Sequence, residues 1–124
     1  MYLTGPHPDT LHPIEGYNKL VFLKNIIKRS NIFVGDYTYF DDPKNGPEMF
    51  EENNVLYNHL HTKMKLVIGK FCAIAAETRF IMHADHKLDG VSTYPFPVFQ
   101  KGWEKAFSIM DIPVKGDILV GNDV

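Results

Sequence analysis

Residues 68–80 read Ile68-Gly-Lys-Phe-Cys-Ala73, then Ile74-Ala-Ala-Glu-Thr-Arg79, then Phe80. Apolar anchors recur every six residues, at positions 68, 74 and 80, and a small residue follows each of the first two anchors. A repeat of six residues is typical of a parallel β-helix, in which short strands form the flat faces of stacked coils. Each anchor then points inward and joins a common core. Two adjacent repeats alone also fit ordinary hairpin strands that are six residues apart by chance.

Two distant segments follow the same rule, which favours the β-helix over the hairpin alternative. Val34 is followed by Gly35, and Val120 is followed by Gly121. The repeats therefore predict a mainly β chain with the architecture of a parallel β-helix. A length of 124 residues suits one domain, so we expect residues 1–124 to form a single hexapeptide-repeat domain.

The segments between the repeats have a different character. Residues 1–16 contain three prolines and two glycines and predict an extended arm. Apolar residues at positions 20, 23, 26 and 27 predict a short amphipathic helix over residues 18–29, so that residues 1–31 form an arm and a helix. Residues 83–113 have prolines and glycines but no sustained period, and they predict a long excursion loop. A loop of this length in a compact domain is usually functional or disordered.

Composition excludes several classes of function. Thirteen Lys and Arg against fifteen Asp and Glu give a net charge of −2, which argues against nucleic acid or an anionic membrane as the partner. The single cysteine, Cys72, excludes an intrachain disulfide and fits a reducing cytoplasm. Cys72 also occupies a small-residue position of its repeat, so we expect it to pack in the core. No apolar run approaches the roughly 18 residues that span a bilayer.

The candidate chemistry lies where the repeat ends, at His83-Ala-Asp-His86. Three interpretations compete. His83, Asp85 and His86 offer metal ligands, although no further Cys or His motif supports that spacing. Both imidazoles are alternatively solvated on a surface loop. In the third interpretation one histidine is a general base, because imidazole titrates near neutral pH and can accept a proton from an alcohol. The spacing does not choose between the last two.

Together, six stretches resemble the xenobiotic acetyltransferases of the hexapeptide-repeat class, most closely the streptogramin A (virginiamycin) O-acetyltransferases. The most specific of them ends in Ser92-Thr-Tyr-Pro-Phe96. The resemblance covers nearly all of the chain. The stretches are His12-Pro-Ile-Glu-Gly16, Val34-Gly-Asp-Tyr-Thr-Tyr-Phe40, Ile68-Gly-Lys-Phe-Cys72, His86-Lys-Leu-Asp-Gly-Val-Ser-Thr-Tyr-Pro-Phe96, Gly102-Trp-Glu-Lys105 and Pro113-Val-Lys-Gly-Asp117 through Val120-Gly-Asn-Asp-Val124.

The resemblance implies a fold, a reaction and a set of site residues. The implied fold is a left-handed parallel β-helix that forms a homotrimer with active sites at the subunit interfaces. The implied reaction moves an acetyl group from acetyl-CoA to a hydroxyl of a hydrophobic antibiotic, without a metal. His86 matches the catalytic histidine, whose role is to take the proton as the substrate oxygen attacks the thioester. Asn18, Tyr39 and Tyr57 match positions that line the acceptor pocket.

Two departures from the family pattern add expectations. The segment before the matching histidine is one residue shorter here than in the family and reads Ala84-Asp85-His86. We expect Asp85 either to pair with a protonated imidazole or to face water. Family members continue with further coils, so we expect most residues that bind acetyl-CoA downstream of Val124 and expect the chain to be truncated at its C-terminus. The alternatives to a streptogramin A acetyltransferase are a chloramphenicol-type or other xenobiotic acetyltransferase, and an inactive truncated remnant.

Overall fold

A computed structural model describes residues 4–124, so the first three residues of the predicted arm lie outside the described part. The prediction of a mainly β chain is confirmed, since short strands alternate with turns throughout. Among residues 4–124 one α-helical turn and five 3₁₀ turns are present. No helix in this range is long and apolar enough to cross a membrane. The strands are β1 (Leu20–Phe22), β2 (Ile32–Val34), β3 (Tyr39–Asp41), β4 (Val55–Leu56), β5 (Leu66–Ile68), β6 (Ala73–Ala75), β7 (Phe80–Ile81) and β8 (Ile118–Val120).

The remaining elements are short connections. The α-helical turn, α1, covers Phe50–Asn53 and continues directly from the 3₁₀ turn Pro47–Met49. The other 3₁₀ turns are Leu23–Ile26, Leu60–Thr62, Phe96–Phe99 and Ile109–Asp111.

The strands pair into three small sheets. Sheet 1 has the order β1-β3-β6, sheet 2 the order β2-β5-β8, and sheet 3 contains β4 and β7. Every pairing is parallel except that of β1 with β3. Along the chain, β2, β3 and β4 belong to sheets 2, 1 and 3. The next three strands, β5, β6 and β7, belong to the same sheets in the same order, and β8 belongs again to sheet 2. One round of three strands, one on each sheet, is called a pass. Each strand of a pass pairs in parallel with the strand of the preceding pass on the same sheet.

The six-residue anchors explain this order. Ile68, Ile74 and Phe80 fall on β5, β6 and β7, and so one anchor lies on each of the three sheets. Val34 and Val120 pair in register with Ile68 within sheet 2. Anchors one pass apart are thus aligned across neighbouring strands, as the repeat predicts.

The core is one cluster of buried apolar side chains that draws on all three sheets. Its two fully buried aromatic rings, Phe40 and Phe50, pack edge to face with centroids 5.0 Å apart. The prediction that Cys72 packs in the core is confirmed, since its side chain is buried in this cluster. The buried members are Val21, Leu23, Ile32, Phe40, Phe50, Val55, Met64, Leu66, Ile68, Cys72, Ile74, Phe80 and Met82.

The small residues after the anchors allow successive passes to approach closely. A Cβ added to Gly35 would lie 2.7 Å from the carbonyl carbon of Gly69, and one added to Gly69 would lie 2.7 Å from the carbonyl oxygen of Gly121. Real Cβ atoms do not come this near to backbone, so only glycine fits at these two positions. The left-handed backbone of the same turns falls instead on Tyr37 and Phe71, with φ of 67° and 58°.

The prediction of an amphipathic helix over residues 18–29 is wrong. Leu20–Phe22 form β1 and pair with β3, and only a four-residue 3₁₀ turn, Leu23–Ile26, follows. The three-residue spacing from Leu23 to Ile26 fits a 3₁₀ turn as well as an α-helix. Sheet pairing and burial of Val21 and Leu23 outweigh the weak helical preference of so short a segment.

The segment between β7 and β8 contains no strand. Its side chains build a local aromatic cluster instead, in which Trp103 packs edge to face on Phe96 with centroids 5.3 Å apart and Tyr94 stacks on Phe99 at 5.3 Å. An ion pair of 3.2 Å joins Asp85, near the start of this segment, to Lys115 near its end. The Asp85–Lys115 ion pair therefore lies where the excursion loop (residues 83–113) leaves and rejoins the coils.

Candidate functional site

A cavity of about 430 Å³ lies where the excursion loop leaves the coils. One wall is apolar and belongs to the excursion loop. The rest of the lining includes a tyrosine, four histidines and one carboxylate. The apolar residues are Pro95, Val98, Phe99, Ile109 and Ile112, and the polar ones are Tyr57, His59, His61, His83, Asp85 and His86. Such a mixture of a broad apolar surface and few polar groups is typical of a pocket for a small organic ligand.

His86 lines this cavity with an exposed imidazole whose orientation is fixed by one hydrogen bond. Its Nδ1 lies 2.9 Å from the backbone oxygen of Thr93, across a turn of the excursion loop. A carbonyl oxygen only accepts, so Nδ1 carries the proton and donates it. In the neutral ring Nε2 then has the free lone pair, and His86 has the tautomer that a general base needs.

The predicted acceptor-pocket residues are only partly brought together. Tyr57 lines the same cavity as His86, directly after β4 and with a left-handed φ of 55°. Tyr39 lies on sheet 1, in a separate depression bordered by residues 73–76. Asn18 is exposed in a third depression beside Tyr17. Within one chain, Asn18 and Tyr39 therefore do not face His86.

Two residues of the cavity, His59 and His61, were not singled out from the sequence. His59 directly precedes the 3₁₀ turn Leu60–Thr62 and His61 lies within it. This turn follows β4, whereas His83 follows β7. Because β4 and β7 pair in parallel, their ends lie side by side, and the backbone nitrogen of His83 donates to the oxygen of Tyr57 at 3.1 Å. The signal that could have found them is the register of these two strands, which brings together histidines distant in the chain.

The three histidines contact one another. Their ring centroids are 5.7–6.0 Å apart, with the His83 ring perpendicular to the other two. The pKa of His59 lies below its usual value of 6.5, because partial burial disfavours the charged ring and His61 and His83 add repulsion. At neutral pH the His59 imidazole is therefore uncharged.

The metal interpretation of His83, Asp85 and His86 gains no support from this geometry. No group of three or more histidine, cysteine, aspartate or glutamate side chains between residues 4 and 124 is arranged to hold a metal ion. Asp85 neither pairs with His86 nor simply faces water, since its carboxylate is held by Lys115 at 3.2 Å. Both earlier alternatives for Asp85 are thus replaced by an ion pair that joins the two ends of the loop.

Comparison with curated proteins finds acetyltransferases that carry antibiotic names. Virginiamycin A acetyltransferase of Staphylococcus aureus is 48% identical over 114 residues, which cover 90% of this chain and 50% of that protein. A protein of Lysinibacillus sphaericus named "Probable macrolide acetyltransferase" is 49% identical over 85 residues, 67% of this chain and 47% of its own length. Chloramphenicol acetyltransferase of Morganella morganii is 35% identical over 106 residues, 82% of this chain and 50% of its own. No family model matches the chain.

The chain is therefore similar over most of its length to the family of antibiotic acetyltransferases. Within that family it resembles the virginiamycin A acetyltransferase of Staphylococcus aureus over most of its length, which confirms the resemblance seen in the sequence. The chain spans about half the length of the curated relatives it matches.

Proposed function

We propose that this chain contributes the acceptor side of an acetyl-CoA-dependent O-acetyltransferase whose acceptor is a hydroxyl of a streptogramin A-like antibiotic. His86 is the general base of this reaction. The proposal rests on one observation above the others. The Thr93 carbonyl fixes the proton on Nδ1 of His86, which leaves Nε2 as a lone pair on the wall of an apolar cavity.

The cavity suits a large and mostly apolar alcohol. The side chains of Val98, Phe99 and Ile112 offer apolar area for the body of the ligand. Tyr57 supplies an aromatic ring with a hydroxyl that can both donate and accept. An antibiotic whose reacting hydroxyl points toward Nε2 of His86 would bury its apolar surface against the excursion loop.

The proton balance of the reaction assigns one role to His86. The acceptor oxygen forms a bond to the thioester carbonyl carbon while its proton moves to Nε2 of His86. Acetyl-CoA supplies the activated acetyl group, and the carbon–sulfur bond breaks as the ester forms. The proton on the imidazolium then passes to the departing thiolate, which restores the neutral base. No covalent acyl-enzyme is needed, and this agrees with the burial of the single cysteine, Cys72.

We also propose that the coils form a left-handed parallel β-helix and that the protein acts as a homotrimer in the cytoplasm. Strands β2 to β8 recur on three sheets in a fixed order and pair in parallel from one pass to the next, which supports the helical architecture. The trimer accounts for Asn18 and Tyr39, which lie on other surfaces of the chain than His86. In an assembly with sites between subunits, these two residues meet the cavity of a neighbouring copy. A lone buried cysteine fits a reducing compartment.

A second acceptor class has its own support. Chloramphenicol acetyltransferases of Morganella morganii, Klebsiella aerogenes and Escherichia coli match 79–82% of the chain at 33–35% identity. We therefore propose chloramphenicol as the runner-up acceptor. A direct comparison of kcat/KM for the two antibiotics separates these proposals, because the correct acceptor fills the apolar wall and the other leaves part of it in contact with water.

The general-base role is tested by His86→Ala in the protein expressed from the complete reading frame. We expect turnover of a streptogramin A alcohol with acetyl-CoA to fall about 10²–10⁴-fold, the usual contribution of a positioned general base. KM for the acceptor should change much less, since the apolar wall is intact. The measurement is steady-state release of free CoA thiol.

His7→Ala is the matched control, because His7 is an exposed imidazole of the N-terminal arm, outside the cavity. Its turnover should equal that of the unchanged protein. A decrease of less than tenfold for His86→Ala, with the fold intact by circular dichroism, would reject His86 as the base.

A further inference from the structure

The three contacting rings of His59, His61 and His83 form the imidazole cluster. His59 and His61 stack at 5.8 Å with an interplanar angle of 25°, and both meet the edge of His83 within 6.0 Å. All three line the cavity that holds His86. A cluster of three groups that can each gain a positive charge is stable only while most of them stay neutral.

The members of the cluster differ sharply in exposure. His83 is 6% exposed, and its Nε2 is buried without a hydrogen-bond partner among residues 4–124. His59 and His61 are exposed; His59 directly precedes one short 3₁₀ turn, Leu60–Thr62, and His61 lies within it. The turn closes through hydrogen bonds within residues 59–64. It can therefore shift as a unit without breaking its own hydrogen bonds.

The surrounding charges do not compensate a protonated cluster. Asp85 is the one carboxylate on the cavity wall, and it is already paired with Lys115. The other titratable groups on the wall are Tyr57 and His86, and Lys63 follows the turn with a left-handed φ of 57°. No ion pair joins the cluster to an acid in the described part of the chain. Two imidazolium rings whose centroids are at most 6.0 Å apart lie within the Debye length of about 8 Å, so salt screens their repulsion only in part.

We propose that the imidazole cluster is an acid-operated cover of the cavity. When the rings are neutral, His59 and His61 pack against His83 and keep its Nε2 out of solvent. When two rings are protonated, their repulsion moves the turn Leu60–Thr62 away from His83, and Nε2 becomes accessible. The effect on acetyl transfer rests on the proposed function, but the movement itself does not.

The direction of the pH dependence follows from the lowered pKa of His59, which burial causes first and the neighbouring rings second. An open turn restores the usual imidazole pKa of 6.5, so the open form binds protons more readily than the closed form. The closed form is fully favoured above pH 6.5. It is lost progressively as the pH falls from that value through the lower pKa of the closed form.

Nuclear magnetic resonance of the whole 124-residue chain tests the cover without any assay of activity. At about pH 7.5 we expect Overhauser contacts between the ring protons of His83 and those of His59 and His61, and at about pH 5 we expect them to vanish. Contacts between Ile68 and Leu66 in β5 should persist at both values. The titration midpoint of His59 should lie below 6.5.

Two variants make the result decisive. In His61→Gln one source of repulsion is gone, so the midpoint of His59 should rise toward 6.5. His7→Gln removes an exposed histidine elsewhere and should behave like the unchanged chain. Contacts that persist at about pH 5 in the unchanged chain overturn the cover. Simultaneous loss of the β5 contacts overturns it as well, because the change is then global unfolding. Inactivity of the enzyme with a normal acid response would instead count against the proposed function alone.

Discussion

The coils and the excursion loop place their side chains by different physical means. In the coils, strands of successive passes pair with one another, and the backbone hydrogen bonds hold the central strand β5 on both sides, between β2 and β8. In the excursion loop, position depends on side-chain packing such as that of Trp103 on Phe96, on the Asp85–Lys115 ion pair and on single hydrogen bonds. His86, the candidate base, is held in the second way, through the Thr93 carbonyl. The coils, which form the frame of the molecule, are thus specified by a repeated sequence pattern. The position of the candidate base is specified by a few local contacts.

This difference predicts which substitutions change stability and which change activity. A change at an aligned position of the coils disturbs two neighbouring passes together, because the same position recurs in each. A change in the excursion loop disturbs its own neighbourhood and leaves the frame unaltered. Stability and activity should therefore respond to different residues.

The largest stability effect is expected in the central strand. Leu66 is fully buried, so Leu66→Ala should lower the free energy of unfolding by about 2–5 kcal/mol through lost apolar contact and a cavity. Leu119→Ala, in the neighbouring strand β8 but 73% exposed, should change it by less than about 0.5 kcal/mol. Urea denaturation of both variants measures the pair. Equal losses would contradict the placement of the core.

A glycine substitution comes next, because it tests the close approach of successive passes. In Gly35→Ala the new Cβ would meet only backbone atoms of Gly69 and Lys70, which cannot move aside as a side chain can. We expect a loss of about 3 kcal/mol, the upper end of the usual cost of overpacking. Gly121→Ala in the same chain is the control, since nothing lies within 4 Å of its added Cβ. A tolerated Gly35→Ala would show that the passes are further apart than described.

A buried hydroxyl gives a somewhat smaller effect. Thr38 is fully buried, donates from Oγ1 to the oxygen of Gly69 at 2.5 Å, and accepts from the backbone nitrogen of Cys72 at 3.1 Å. Thr38→Val keeps the shape but leaves both backbone groups unpaired, at a cost of about 2 kcal/mol. The thermal midpoint should fall accordingly. Thr78→Val, at the corresponding repeat position but half-buried, should have little effect, and comparable shifts would argue against the bridging role of Thr38.

The smallest effect on stability is expected in the excursion loop. Trp103 is 47% exposed and packs on Phe96 and Tyr94 of the same loop. Trp103→Ala should change the global free energy of unfolding by less than about 0.5 kcal/mol, while amide exchange in the loop becomes faster. Hydrogen exchange resolved by residue measures both regions at once. If amide exchange in β5 also became faster, the expected difference between the coils and the excursion loop would be contradicted.

Much of the frame was predictable from the sequence, and the reason is repetition. Ile68, Ile74 and Phe80 each specify one face, and the aligned Val34 and Val120 supply independent copies of the same signal. The segment at residues 18–29 lacks such copies. Its apolar spacing fits both an α-helix and a strand followed by a 3₁₀ turn, and pairing with β3 decides between them.

The site was predictable only in part. His86 stood out because a distinctive motif follows it, and the structure places Tyr57 in the lining of the same cavity, where its predicted role stays a prediction. The contacts of His83 with His59 and His61 depend on the register of β4 against β7, and two-residue strands carry too little pattern to reveal a register. Asn18 and Tyr39 also matched the family pattern, but the fold places them in other depressions than His86.

The ion pair between Asp85 and Lys115 has a consequence for how this family can diversify. With the two ends of the excursion pinned beside each other, closing the segment between them costs only an entropy that grows with the logarithm of its length. Doubling the number of residues enclosed adds roughly 0.6 kcal/mol. Evolution can therefore exchange the apolar wall of the cavity for a longer or shorter one while the register of the strands on either side is preserved.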